Sequence, residues 1–349
     1  MGLRYIGSKA RVAASIVDTV GAPGESRGVF VDAFCGTGSV AAAAAAAGWG
    51  IRLNDSLRSA AVTATAALIA SEQAPFDRLG GYATAVAALN AQPGITGFIT
   101  REYSPMSQEV AGVERRYFTV ENARRIDAAR AQIRTWHDEG ELTEFEHTLL
   151  LADLLAATNK VANTAGTYGC FLRHWTSTAE RPMRVSTRKL AARAVDLQVT
   201  IGDVFDVPYR TQDVAYFDPP YTKRQYAAYY HILETVAAGD EPQVSGVTGL
   251  RPWKHLASEF SYRSRALEAL DRLVGQCGAG RVLLSYSNQG HVAREDLEAV
   301  LAAHGQVVVH QLGAIGRYRP NRAAAAHSSD VDEFLFDVLK PAAAAQAAA

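Results

Sequence analysis

The sequence predicts an α/β domain interrupted by a mainly helical insertion. A strand-to-helix rhythm opens the chain, fades between about residues 72 and 195, and returns from about 196 to 340. The third observation is the tetrapeptide Asp218-Pro219-Pro220-Tyr221, which ends the apolar run Val214-Ala215-Tyr216-Phe217. A strand that stops in two prolines presents its last polar residues on a stiff, non-helical turn, because proline fixes φ and bars helix at the residue before it.

The first unit begins with Gly28-Val29-Phe30-Val31-Asp32, a β-rich run that reads as a buried strand. Ala33-Phe34-Cys35-Gly36-Thr37-Gly38-Ser39 follows as a turn, and Val40 with the alanines from Ala41 to Ala47 reads as a helix closed by Gly48. A second strand runs through Ile51-Arg52-Leu53 into Asn54-Asp55, and residues 60–71 read as helix. In the insertion, residues 124–136 and 144–161 read as helices, while 91–112 and 163–177 are rich in turn and small polar residues. Strands are then expected at 198–201, 214–217, 281–287, 306–312 and 333–339, with helices near 229–238, 264–276 and 294–304. The expected domains are 1–71 with 196–340, the insertion 72–195, and an alanine-rich, frayed tail at 341–349.

The 349 residues are 48% hydrophobic and 20% charged, enough for a large core, and no stretch approaches the roughly 20 apolar residues of a membrane span. The cysteines Cys35, Cys170 and Cys277 lie far apart and read as reduced thiols of a cytosolic protein. A net charge of −1 excludes an indiscriminate coat for nucleic acid. Charge is uneven, however. Between Arg173 and Arg193 stand Arg173, Arg181, Arg184, Arg188, Lys189 and Arg193 against Glu180 alone, a stretch able to meet phosphates or to form a solvated face.

Gly36 and Gly38 permit a tight strand-to-helix bend and close backbone approach to a ligand. Ala41 stands where a dinucleotide site needs a third glycine, and no Walker lysine is present, so hydride transfer and P-loop chemistry are disfavoured. Asp55, about 20 residues beyond the glycines, can accept from both hydroxyls of a ribose or cap the next helix. Asp203, past the third strand, can accept from an adenine amine with Val204 or Phe205 against the ring. Tyr5 and Lys9, in Arg4-Tyr5-Ile6-Gly7-Ser8-Lys9, offer a stacking ring and a cation. In the opening tetrapeptide, acceptors can take the N–H groups of a planar amine while the phenol stacks on its ring.

In this order along the chain, Tyr5-Ile6-Gly7-Ser8-Lys9, the Asp32 to Gly38 turn, Asn54-Asp55, Asp203 and Asp218-Pro219-Pro220-Tyr221 resemble the Dam-type (alpha-group) DNA adenine-N6 methyltransferases. Asn163-Thr164-Ala165-Gly166-Thr167-Tyr168-Gly169 and the segment from Lys223-Arg224 to Tyr230-His231 are similar to that family as well. The resemblance implies a Rossmann-like class I methyltransferase sheet of seven strands, the last antiparallel, with a target recognition insertion. It implies S-adenosyl-L-methionine across Asp32, Phe34, Gly36 and Gly38, with Asp55 on the ribose, Asp203 and Val204 near the adenine, and Tyr5 and Lys9 over the methionine end. It further implies a flipped adenine in double-stranded DNA. Asp218 and the Pro219 carbonyl would hold its amine and Tyr221 its ring, with neither a metal nor a covalent enzyme intermediate. Arg173, Arg184, Arg188, Lys189, Lys223, Arg224, and Arg317, Arg319 and Arg322 in an expected hairpin loop, are candidate DNA contacts. A monomer acting in the cytoplasm beside a companion restriction endonuclease completes the expectation. The alternatives are the same chemistry on another amine (cytosine-N4, RNA or protein glutamine) and a DNA-binding protein of this fold without catalysis.

Overall fold

The strands that the sequence spaces apart join in one seven-stranded sheet of order β3-β2-β1-β4-β5-β7-β6. In the computed structural model these are β1 (Val29–Asp32), β2 (Gly50–Asp55), β3 (Leu197–Ile201), β4 (Val214–Phe217), β5 (Arg281–Ser287), β6 (Gln306–Leu312) and β7 (Glu333–Leu339). The structure describes residues 6–24, 28–312 and 332–341, so Tyr5, Arg317, Arg319, Arg322 and the tail from 342 lie outside the described residues. Strands β1 to β5 pair in parallel, and β7 enters antiparallel between β5 and β6. The seven-stranded sheet with an antiparallel last strand is therefore observed.

The described residues divide into two compact units, those of 6–64, 195–225 and 256–341 forming one, and 65–194 with 226–255 forming the other. The sheet unit buries both faces because successive side chains on a strand point to opposite sides. From β4, Ala215 and Phe217 join Val282 and Leu284 of β5 and Phe336 and Val338 of β7 in one buried cluster. Leu270, Leu273 and Val274 of helix α11 (Ala266–Gln276) and Leu297 and Leu301 of α12 (Arg294–Ala302) close over that cluster. Tyr216 faces the other way, stacked on Phe30 at 6.1 Å, and its hydroxyl lies 2.9 Å from Ser285 Oγ. Beside α1 (Ala13–Val20), the alanine helix α2 (Ser39–Ala46) packs against β1 and β2 with its Ala41 and Ala44 fully buried. Their small side chains let the helix axis come close to the sheet.

Asn54 ties three strands at their carboxyl ends. Its amide donates to Ala33 O at 3.2 Å and Gly202 O at 3.4 Å and accepts from Thr200 Oγ1 at 2.8 Å. At the opposite end Asp213 accepts from Val29 N at 3.0 Å, Arg210 N at 2.9 Å and Arg52 Nη1 at 3.3 Å, all in a dry setting.

Helix α3 (Arg58–Ala66) ends earlier than residue 71, and a 3₁₀ turn follows at Ser71–Gln73. The other unit holds α4 (Tyr82–Ala91), α5 (Phe98–Tyr103), α6 (Ser107–Ala111), α7 (Val120–Asp138), α8 (Glu144–Lys160), α9 (Tyr226–Tyr229) and α10 (His231–Ala238). Thr119 caps α7 and a Thr143–Glu146 capping box opens α8, the helix starts that sequence marks best. Helices α5 and α6 replace turns expected at 91–112. Asp127 of α7 explains α5: its carboxylate accepts from Gly97 N at 3.0 Å, Ile99 N at 3.0 Å, Thr100 N at 2.8 Å and Thr100 Oγ1 at 2.7 Å. That cap comes from a distant helix, so local periodicity does not reveal it.

Asp213→Ala would leave Arg52, whose side chain is 6% exposed, without its carboxylate and orphan two backbone amides. A loss of about 3 kcal/mol is expected, read as a lower urea midpoint; an unchanged midpoint would contradict this role for Asp213.

Candidate active site

The carboxyl ends of β1 and β4 are neighbours, with Asp32 opposite Tyr216, so the glycine turn and the Asp-Pro-Pro-Tyr turn leave the sheet side by side. Gly36 and Gly38 take φ of 49° and 75°, the left-handed region that side chains resist. A Cβ at Gly38 would also stand 2.7 Å from Ala64 Cα, so this turn admits only glycine. Asp55 braces the turn from β2: one carboxylate oxygen accepts from Gly36 N at 3.0 Å and the other from Leu57 N at 3.0 Å. Both oxygens of Asp55 are thus engaged by backbone amides, the second in the turn that leads into α3 at Arg58.

Asp32 is 2% exposed, and its Oδ1 has no hydrogen-bond partner among the described residues. Burial, then the charges of Asp218 and Asp55, push its carboxyl up to about 8, against the pull of the Ala41 and Phe34 amides. Phe34 meets Phe260 edge-on at 5.5 Å, and Phe205 stacks on Phe260 at 6.1 Å. Phe260 was not legible in the sequence; it belongs to a short 3₁₀ turn, Glu259–Ser261, with no motif around it. Asp203 is exposed and caps the turn Val204–Asp206 by accepting from Phe205 N at 3.1 Å, while Val204 is buried.

At the second turn Lys9 donates to Asp218 Oδ1 at 2.8 Å, and its ammonium lies 5.2 Å from the Tyr221 ring centroid. Lys9 is 4% exposed, so this pair is nearly dry. Burial raises the Asp218 carboxyl above its usual range, and Lys9 opposes that rise. Glu333, the first residue of β7, also enters: Tyr221 Oη donates to its Oε1 at 3.0 Å, and Lys9 Nζ stands 3.5 Å from its Oε2, an ion-pair distance longer than a good hydrogen bond. Burial raises Glu333 too, with Asp218 adding to the rise and Lys9 opposing it. Tyr221 is held again through its backbone, where its carbonyl accepts from His291 N at 3.0 Å, and its ring lies 5.5 Å from Tyr286. Pro219 is buried and Pro220 half-buried.

Two chemistries meet at this edge. One is a glycine turn with an unsatisfied buried carboxylate, suited to a cation beside a close backbone approach. The other is a carboxylate, two prolines and a phenol, suited to a planar amine.

Residues 5–287 match the family of D12 class N6 adenine-specific DNA methyltransferases. The chain is a member of that family. Among its relatives, Type II methyltransferase M.FokI of Planomicrobium okeanokoites is 32% identical over 244 residues, 70% of this chain and 37% of the relative. Modification methylase StsI of Streptococcus sanguinis is 31% identical over 306 residues, 86% of this chain and 46% of the relative. Modification methylase LlaI of Lactococcus lactis subsp. lactis is 33% identical over 313 residues, 84% and 48%. The chain thus spans less than half the length of these three. No solved structure matches it.

Of the cations named as DNA contacts in this D12-class chain, Arg173, Arg184, Lys189, Lys223 and Arg224 are exposed. Arg188 is half-buried, and its Nε donates to Asp153 Oδ1 at 2.7 Å within the helical unit. Asn163 organises the segment after α8, donating to Arg116 O and Leu172 O, both at 3.1 Å, and accepting from Thr176 N at 3.0 Å. His231 is buried, with Nε2 3.0 Å from Tyr168 O, and burial holds its ring down at about 4, hence neutral. His137, Glu144 and His147, at the α7–α8 turn, bring ligand atoms within 4.8 Å of one another. His137 Nε2 stands 3.8 Å from Glu144 Oε1, and the His137 and His147 rings stack 4.1 Å apart.

A carboxyl near 8 instead of 3.8 means that the folded chain holds a proton which the unfolded chain has released. Stability from Asp32 therefore falls as pH rises from about 4 to about 8, and raised Asp218 and Glu333 act with the same sign. The ligand-free protein should lose Tm between pH 5.5 and 8.5, and Asp32→Asn should flatten that slope. Equal slopes in thermal melts would contradict the burial of a proton at Asp32.

Proposed function

We propose that this chain transfers a methyl group from S-adenosyl-L-methionine to the N6 amine of an adenine turned out of double-stranded DNA. The observation that carries the reading is Asp218, gripped by buried Lys9 on a Pro-Pro turn that also presents Tyr221, beside the glycine turn of β1. The family and its relatives support the acceptor.

The cofactor fits the residues present. Asp32 Oδ1 has no partner among the described residues and suits the ammonium of an amino acid; Gly36 and Gly38 leave room for close approach; Phe34, Phe205 and Phe260 give apolar rings for a base. Asp55, which ends β2 beside the glycine turn, suits a ribose, and Asp203 with Val204 suits the adenine edge. When bound, S-adenosyl-L-methionine supplies an electrophilic methyl group.

Everything else falls to the protein. A stacked base hides its amine, so the target must leave the duplex. Asp218 and the Pro219 carbonyl accept the two amine hydrogens, which orients the nitrogen and raises its electron density. Tyr221 stacks on the ring and fixes its plane. Rate enhancement then comes from orientation and from charges already in place. The exposed cations Arg173, Arg184, Lys189, Lys223 and Arg224 would meet phosphates, a sequence-independent, salt-sensitive contribution. Base readout falls to the helical unit. No helix among the described residues is long and apolar enough to cross a membrane, and we assign the reaction to the cytoplasm. A companion endonuclease with the same recognition site belongs to the same reading, supported by relatives named as modification methylases.

Expression in a host that lacks DNA methylation, followed by genome-wide mapping of modified bases, tests this. Adenine-N6 marks at one short motif are expected, and Asp218→Ala should lower their rate of appearance by about 100-fold or more. Marks on cytosine, or unmarked DNA, would overturn the reading.

A further inference from the structure

We propose that Glu333 is a positioning residue of the Asp-Pro-Pro-Tyr clamp: its carboxylate fixes the Tyr221 hydroxyl and draws part of the Lys9 charge away from Asp218, which keeps Asp218 a strong acceptor for the substrate amine. This rests on the methyltransferase reading above and adds a residue that no motif in the sequence marks.

Placement argues first. Parallel strands reach the catalytic edge with their last residues, but β7 runs antiparallel and reaches it with its first. Glu333 lies opposite Ser287, the last residue of β5, and opposite Leu312, the last of β6. The rest of β7 is mostly apolar, with Leu335, Phe336 and Val338 fully buried, yet its first position holds a carboxylate that is 3% exposed. A buried carboxylate is costly unless it is paired. Another acid, Asp218, shares the same ammonium.

Geometry argues next. Lys9 sits 2.8 Å from Asp218 and 3.5 Å from Glu333, and Glu333's other oxygen takes the Tyr221 hydroxyl at 3.0 Å. Lys9 alone against Asp218 would occupy and neutralise the carboxylate meant for the amine. A second acid within ion-pair distance of the ammonium divides its charge. The same carboxylate fixes the hydroxyl end of Tyr221, while the His291 amide holds the backbone end. Ring and acceptor are thus set by one side chain.

Glu333→Gln separates these jobs. Its amide oxygen still accepts from Tyr221, but the counter-charge is gone, so Lys9 closes on Asp218. With the purified chain, tritiated S-adenosyl-L-methionine and unmethylated plasmid DNA, Glu333→Gln should lower kcat by about tenfold or more, as residues that orient a reacting group commonly do. Calorimetric affinity for S-adenosyl-L-methionine and the KM for DNA should each stay within about twofold. In thermal melts, Glu333→Gln and Lys9→Met should be non-additive, since they remove two ends of one contact. Full activity in Glu333→Gln, or additive melting shifts, would overturn the proposal. A wild-type chain that methylates no DNA would instead sink the methyltransferase reading, and the melting cycle would still decide whether Glu333 and Lys9 are coupled.

Discussion

A single buried ammonium, Lys9, facing the carboxylates of Asp218 and Glu333, is the interaction on which the candidate site depends. Burial alone would drive both acids to their neutral forms, and burial does raise them. Lys9 is what keeps a negative charge available at Asp218 in a dry place, and charge in a dry place is worth more than charge in water. Asp32, nearby on β1, has no such partner among the described residues, and burial with the charges of Asp218 and Asp55 pushes its carboxyl up to about 8. The contrast divides the edge into two halves. One carries its own cation and is ready for a neutral amine; the other lacks a cation and suits a ligand that brings one.

Topology makes this arrangement possible. Parallel β1 and β4 deliver Asp32 and Asp218 from their carboxyl ends, because adjacent strands in register end together. Glu333 arrives from the start of a strand, and only an antiparallel β7 can bring a strand's first residue to that edge. Asn54, tying Ala33, Thr200 and Gly202, keeps β1, β2 and β3 level there. The inverted last strand thus contributes chemistry as well as hydrogen bonds.

Much of this was legible in the sequence where local chemistry is decisive. Each strand was readable to within a residue or two, because each is a short apolar run bounded by turn residues. The alanine helix was readable from propensity, and α7 and α8 carry strong capping signals. The clamp was legible because Asp218, Pro219, Pro220 and Tyr221 are adjacent in the chain and stiff. What stayed hidden depends on distant partners. Helix α5 starts where Asp127 caps it from another helix, Phe260 gains meaning only beside Phe34 and Phe205, and the Arg188–Asp153 pair joins side chains far apart in sequence. Glu333 is hidden most thoroughly, since a single acid before an apolar strand gives no cue that it reaches Lys9 and Tyr221.

The most direct test of the account is isothermal titration of S-adenosyl-L-methionine into the ligand-free chain at pH 7 in buffers of different ionisation enthalpy. With its carboxyl near 8, Asp32 holds a proton at that pH, and an incoming ammonium favours the ionised form. Binding should therefore release protons, so that the observed heat changes with the buffer, and Asp32→Asn should remove most of that dependence. Tight binding with the same heat in every buffer, or no binding at all, would contradict the account.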